Sequence, residues 1–464
     1  MASIMVMENQ ENGGGGGGFF GRGWRWLMNL WGKITSPIKD LASDAKKLAK
    51  DDPRRVIHAL KVGLAITIVS LFYYFDHLYD GFGVNAMWAV MTVVVVFEFS
   101  VGATLGRSVN RGISTLLAGG LGFGAHHLAN LSGENFEPVF LGLFVFIIAG
   151  FVTFLRFIPK LKARYDYGLL IFILTFCLIS VSGYRDDEVL NMAHKRLSTV
   201  LIGGSTALAI CILVCPVWAG EDLHNRVANN IDKLGTFLEG FGGEYFKTSG
   251  SENKEKKAAM EGYKSVLSTK STDETLANFA KWEPRYGRFK YRHPWDQYLK
   301  IEAHVQECAY RIDALNTHLN SELKISNEIR EKLQEPCKKV SMECGMALKE
   351  LASTIDSMTT TPNVDIHTAN AKSTAKILKN MLKLSSWKDN DNNLDLPEII
   401  QVAGVVSLLL EILNCTLKIG DSVSELASLA KFKKIHGIKL VIRKKSLQRT
   451  RSTDDSPHIV VNVE

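Results

Sequence analysis

The sequence predicts an all-α, polytopic membrane protein with six transmembrane helices and a C-terminal cytosolic helical bundle. Three observations predict it. Apolar runs of near-spanning length follow one another from Val56 to Ala219. From Glu221 onward the chain becomes charged and helically periodic. No period-two alternation competes as a strand signal. Whole-chain averages hide this division, because 46% hydrophobic residues and a mean hydropathy of +0.03 describe an ordinary soluble protein.

A helix needs about 20 mostly apolar residues to cross the hydrocarbon layer. The stretches that qualify or come close are Val56–Phe75, Val84–Phe99, Ile113–Leu131, Val139–Ile158, Tyr167–Gly183 and Leu197–Ala219. The second carries Glu98 after the Val93–Val96 run, and the fifth is short. One such stretch could be a buried soluble helix; six in succession with short connections predict a membrane domain. The expected organisation is a partly disordered cytosolic segment over 1–52 and a six-helix transmembrane domain over 53–219. A cytosolic helical domain over 220–432 and a flexible basic tail over 433–464 follow. The glycine-rich start has no apolar signal core, so the first span is expected to direct membrane targeting.

Lys and Arg near span ends orient the chain. The segment before the first span carries Lys46, Lys47, Lys50, Arg54 and Arg55. The loop after the second carries Arg107 and Arg111, and the loop after the fourth carries Arg156, Lys160, Lys162 and Arg164. The loops after the first and third hold Asp76, Asp80, Glu134 and Glu137 and neither Lys nor Arg. Both termini are therefore expected in the cytosol. The loop after the fifth span breaks the rule, with Arg185, Lys195 and Arg196 beside Asp186, Asp187 and Glu188. An exception in so regular a pattern suggests function.

Beyond the spans, Leu223, Val227, Ile231, Leu234, Phe237, Leu238 and Phe241 recur at three- and four-residue spacing, an amphipathic helix. Ser271-Thr272-Asp273-Glu274 reads as a capping box opening another helix. The segments 296–323, 327–357, 365–384 and 396–432 complete the bundle, with a kink expected at Pro336. The basic tail after Lys431 suits either disorder or an anionic lipid surface. The seven cysteines form no CxxC pair and are expected to be reduced and structural.

Nothing in this pattern assembles an enzyme, a cofactor site or a metal site. His126 and His127 are adjacent, so they point to different helix faces and are read as packing residues. Gly119, Gly120, Gly122 and Gly124 lack the flanking strand and Lys of a phosphate loop; with Gly203 and Gly204 they suit close helix packing in lipid. Basic residues at spans are the informative class, because rings of Arg or Lys select anions. Arg111 and Arg196 are read as pore-lining. Arg107 and Lys195 stand between pore lining and interfacial snorkelling. Glu98 is expected to be a neutralising partner or a cytosolic cap rather than a pore group. The basic charges sit where a membrane accounts for them, so no nucleic-acid partner is expected.

Asp52-Pro53-Arg54-Arg55-Val56, the run from Asn85 through Trp88 to Val94, Glu98 through Leu105, and Tyr165-Asp166-Tyr167-Gly168 resemble signatures of the plant aluminium-activated malate transporters. So do Ala193-His194-Lys195-Arg196, the run from Pro216 to His224, and Trp282-Glu283-Pro284-Arg285. The resemblance covers residues about 50 to 290 and is looser beyond. It implies a homodimeric anion channel, six spans per subunit, conducting malate and inorganic anions such as chloride, nitrate or sulfate. Arg111 and Arg196 match basic pore positions of that family. The resemblance also points to Asp80 and Asp187 for extracellular cation sensing, and to the stretch around Phe237 for inhibition by 4-aminobutyrate. A coupled secondary transporter of organic anions is the alternative, although no acidic coupling residue sits mid-span; a membrane-anchored scaffold is a third reading. The plasma membrane is favoured over the vacuolar membrane.

Overall fold

The computed structural model describes residues 40–74, 87–132, 136–183, 189–245, 260–319, 327–381 and 396–434. Asp80, Asp187 and the basic tail beyond Lys434 lie outside the described residues. The described chain is helical almost throughout. Its one sheet is a parallel pair of two-residue strands, β1 (Thr359–Thr360) and β2 (Lys433–Lys434). It divides into two compact units: one of residues up to Leu223 plus Thr272–Trp295, the other of His224–Ser271 plus residues from Asp296 onward.

The first unit contains α1 (Pro53–Tyr74), α2 (Met87–Val96), α3 (Val101–Asn130), α4 (Glu137–Leu155), α5 (Pro159–Gly183) and α6 (Val189–Leu213). Among the described residues, Glu137–Leu155, Pro159–Val181, Ala193–Leu213 and, in the second unit, Ile400–Ala430 are long and apolar enough to cross a membrane. The first three coincide with the expected fourth, fifth and sixth spans. α1 begins with Arg54 and Arg55 and carries Lys61. α2, at 10 residues, rises only about 15 Å, half the hydrocarbon thickness. α4 buries only Leu141 and Val152, while Phe146 is 78% and Phe154 67% exposed. A surface that apolar would aggregate in water and is at home against lipid.

Two boundaries move relative to the sequence reading. α2 stops at Val96, and Ser100 caps the next helix by accepting the Ala103 N–H at 3.3 Å. α3 therefore starts at Val101, well ahead of Ile113, and Arg107 and Arg111 are helical residues rather than loop residues. α6 likewise begins at Val189 and takes Lys195 and Arg196 into its second turn. At α3 the local cause is polar capping by Ser100, which an apolar-run criterion overlooks.

Close packing is built from small residues, as expected where lipid supplies no hydrophobic drive. α1, α2 and α6 share a core of Ala65, Val69, Ala89, Val93, Ala207 and Cys211. A Cβ on Gly203 would stand 2.5 Å from the Ala89 carbonyl oxygen, and one on Gly122 would stand 2.8 Å from the Ile179 Cγ2. Gly120 and Gly124 face open space, so only part of that glycine cluster serves packing.

The second unit is a helical bundle of α7 (Ala219–Tyr245, from His224), α9 (Trp295–Leu319, from Asp296), α10 (Asn327–Ser357), α11 (Asn363–Met381) and α12 (Leu396–Ala430). The intervening helix α8 (Lys270–Ala280) begins one residue before the expected Ser271 cap. Thr269 instead donates its hydroxyl to Glu302 at 2.9 Å. Val227, Ile231, Leu234, Phe237, Leu238 and Phe241 are all fully buried, so the amphipathic stripe is a core face. α10 runs on through Pro336. α12, assigned from sequence to the cytosolic bundle, meets the length and composition of a span. Its polar side chains are nonetheless laced to α9 by Glu411–Arg311 (2.8 Å), Lys418–Glu307 (3.2 Å) and Glu425–Gln297 (2.8 Å).

Candidate anion pathway

Arg107, Arg111, Lys195 and Arg196 of the first unit sit among its helices, and their partners differ. Arg107 Nη1 lies 2.5 Å from Glu98 Oε1 and donates to the Val95 carbonyl at 3.3 Å. Glu98 is the neutralising partner expected from sequence, and it leaves Arg107 with little net field. Arg111, one turn further along α3, is 7% exposed. Its Nη1 donates to the Tyr167 hydroxyl at 3.2 Å, while its buried Nε has no partner. Asn110 ties the same turn to α5 through the Arg164 carbonyl at 3.3 Å.

Arg196 on α6 is 6% exposed, with its guanidinium 3.7 Å from the Trp88 ring centre on α2. Arg111 and Arg196 lie within electrostatic reach of each other. No carboxylate pairs with either among the described residues. Lys195, next to Arg196 in sequence, is half-buried. Burying a charge without a counterion costs several kcal/mol in a membrane interior. Cation–π contact with Trp88 and one neutral hydroxyl return only about 1–2 kcal/mol each. Two guanidinium groups without a carboxylate partner therefore stand in one region of the first unit.

Sequence reasoning missed Lys61. It is 2% exposed on α1, and its ammonium donates to the Cys215 carbonyl at 2.7 Å just past the end of α6. Cys215 is held at φ 43°, and the lysine closes this strained C-terminal turn. The signal was present as a lone lysine inside an apolar run. Glu283, in the Trp282-Glu283-Pro284-Arg285 segment, has a structural role that its local sequence does not signal. Its carboxylate accepts from the Ala219 N–H at 2.6 Å and the Gly220 N–H at 3.0 Å, capping α7, while Trp218 stacks on Tyr286 at 4.0 Å. Burial pushes the Glu283 carboxyl above its ordinary value, and the backbone N–H donors oppose that shift.

The other sequence candidates fall elsewhere. His126 lies 3.6 Å from Glu137 across the α3–α4 turn, a packing contact. Phe237 is fully buried in the second unit, edge-on to Tyr263 with ring centres 5.1 Å apart. Among the described residues no three His, Cys, Asp or Glu side chains are placed to hold a metal ion.

An all-α fold with several apolar helices of spanning length defines the class, a multi-pass membrane protein. Comparison with known sequences narrows the class. The family described as aluminium activated malate transporter matches residues 46–393, and the chain belongs to that family. It is 54% identical over 400 residues to aluminum-activated malate transporter 2 of Arabidopsis thaliana, covering 85% of this chain and 79% of the relative. It is 49% identical over 426 residues to transporter 7 of the same plant, covering 85% and 83%. It is 41% identical over 404 residues to aluminum-activated malate transporter 1 of Triticum aestivum, covering 85% and 86%.

Proposed function

We propose that the chain is an anion channel that conducts malate and other organic and inorganic anions across a plant plasma membrane. The observation that carries the reading is the pair of buried, carboxylate-free guanidinium groups of Arg111 and Arg196. An anion passing between them replaces water with fixed positive charge, and Tyr167 and Trp88 hold that charge in place without cancelling it. Arg107, neutralised by Glu98, and half-buried Lys195 contribute the weaker outer part of the field.

In this reading α1 to α6 are six spans. Both termini and the bundle formed by α7 and α9 to α12 are cytosolic. α12 belongs to that bundle because its charged side chains pair along α9. Two subunits assemble as a homodimer, as the resemblance implies, and the small-residue faces of the spans permit close packing between them. Asp80 and Asp187 serve as outer cation-sensing groups, and the Phe237 region takes part in inhibition by 4-aminobutyrate. Patch clamp of cells expressing the chain tests the reading. Malate-dependent current is expected, and its loss in Arg111→Glu and Arg196→Glu variants at equal surface expression supports the assignment. Wild-type current in both variants contradicts it.

A further inference from the structure

The bundle of the second unit contains a cavity of about 410 Å³ where α10, α11 and α12 meet the paired strands β1 and β2. Its size suits a small organic molecule. Leu351, Val423 and Ala427 give it an apolar wall, and Thr354, Asp365 and Lys434 supply polar groups. Thr354 is only 6% exposed, faces the cavity and makes no side-chain hydrogen bond among the described residues. Its hydroxyl is therefore available as a hydrogen-bonding group to a molecule seated in the cavity. The cavity also lies at the N-terminus of α11, where first-turn N–H groups favour negative charge. Lys434 reinforces that field from β2. Asp365, in the first turn of α11, adds an acceptor of opposite sign. Thr361 is already engaged, donating to Glu350 at 3.3 Å, so it does not compete for the ligand.

We infer that this cavity binds a small carboxylate bearing a neighbouring hydrogen-bond donor, either a hydroxyl or an ammonium. The carboxylate meets Lys434 and the α11 N-terminus, the donor meets Asp365, and Thr354 completes the contact from the buried wall. A simple dicarboxylate without the donor leaves Asp365 facing negative charge and binds less well. The site is separate from Arg111 and Arg196 and does not depend on their role as a pathway.

Thermal unfolding of the purified full-length chain in detergent, at fixed ionic strength, tests the inference. Malate supplies the hydroxy acid, aspartate the amino acid, and succinate the comparison without a donor. Malate or aspartate is expected to raise the midpoint saturably, with succinate needing at least tenfold more. Thr354→Val and Lys434→Ala are each expected to raise the half-saturating concentration about tenfold, one hydrogen bond or ion contact being worth about that factor. Arg196→Glu is expected to leave it within twofold, which separates this cavity from the pathway. Lys434 is exposed, so its variant keeps the test valid if Thr354→Val fails to fold. The inference is overturned if neither malate nor aspartate shows saturable binding, if half-saturation stays within twofold of wild type in every Lys434→Ala or Thr354→Val protein that folds, or if Arg196→Glu alone removes binding.

Discussion

Replacing Arg196 by alanine removes one of a pair of buried guanidinium groups that lack a carboxylate partner among the described residues, and the size of the loss can be worked from Coulomb's law. An anion about 4 Å from a guanidinium gains about 4 kcal/mol per unit charge at an effective dielectric of about 20. Water entering the space left by the side chain and the remaining Arg111 recover a large share. A residual rise of about 1.4 kcal/mol in the conduction barrier already lowers the rate tenfold. Arg196→Ala is therefore expected to reduce malate current at least tenfold at matched surface expression. Arg196→Glu converts attraction to repulsion and is expected to abolish it. Arg196→Lys keeps the charge but packs less well on the Trp88 ring at 3.7 Å, so partial current is expected. Whole-cell recordings with surface biotinylation as the denominator make the comparison. Current within twofold of wild type in Arg196→Glu refutes the reasoning and makes Arg196 an interfacial residue.

Gly203→Val places a branched side chain where even a Cβ stands 2.5 Å from the Ala89 carbonyl; a loss of about 1–3 kcal/mol should appear as a lower unfolding midpoint. Glu283→Ala removes the carboxylate that accepts two α7 N–H groups, and a loss of about 1–2 kcal/mol is expected from the same assay. Because burial raises the Glu283 carboxyl from its ordinary 4.5, the folded chain binds this proton at higher pH than the unfolded chain. Its contribution to stability therefore grows as pH falls through the raised value and is complete below about 4.5; the difference between wild type and Glu283→Gln across pH 4–7 should show that sign. Impermeant thiol labelling should mark a cysteine placed at Glu137 from outside the cell and spare one at Lys160; the reverse pattern refutes the orientation.

Much of the fold was legible because its signals are local. The α7 stripe from Val227 to Phe241 is fully buried, as its three- and four-residue spacing requires. The α4 run is apolar on every face, so its length and composition alone place it. Arg111 and Arg196 stood out because charge in a span is costly. What escaped depends on partners distant in sequence. Lys61 is explained by a carbonyl 154 residues away, and nothing near it in the sequence signals Cys215. The stacking of Arg196 on Trp88 and the hold of Tyr167 on Arg111 are tertiary facts. α12 shows the opposite limit: a helix apolar enough for lipid is equally suited to a bundle core, and only its ion pairs with α9 distinguish the two.

The central claim is passive conduction of an anion, and the reversal potential of the malate current tests it most directly. A divalent anion moving down its own gradient shifts that potential by about 30 mV for each tenfold change in malate, from the energies of a tenfold gradient and of two charges in the membrane field. The account predicts that slope with no dependence on a proton or sodium gradient imposed at constant malate. A reversal potential that moves with the imposed cation gradient would show coupled transport and contradict the channel reading.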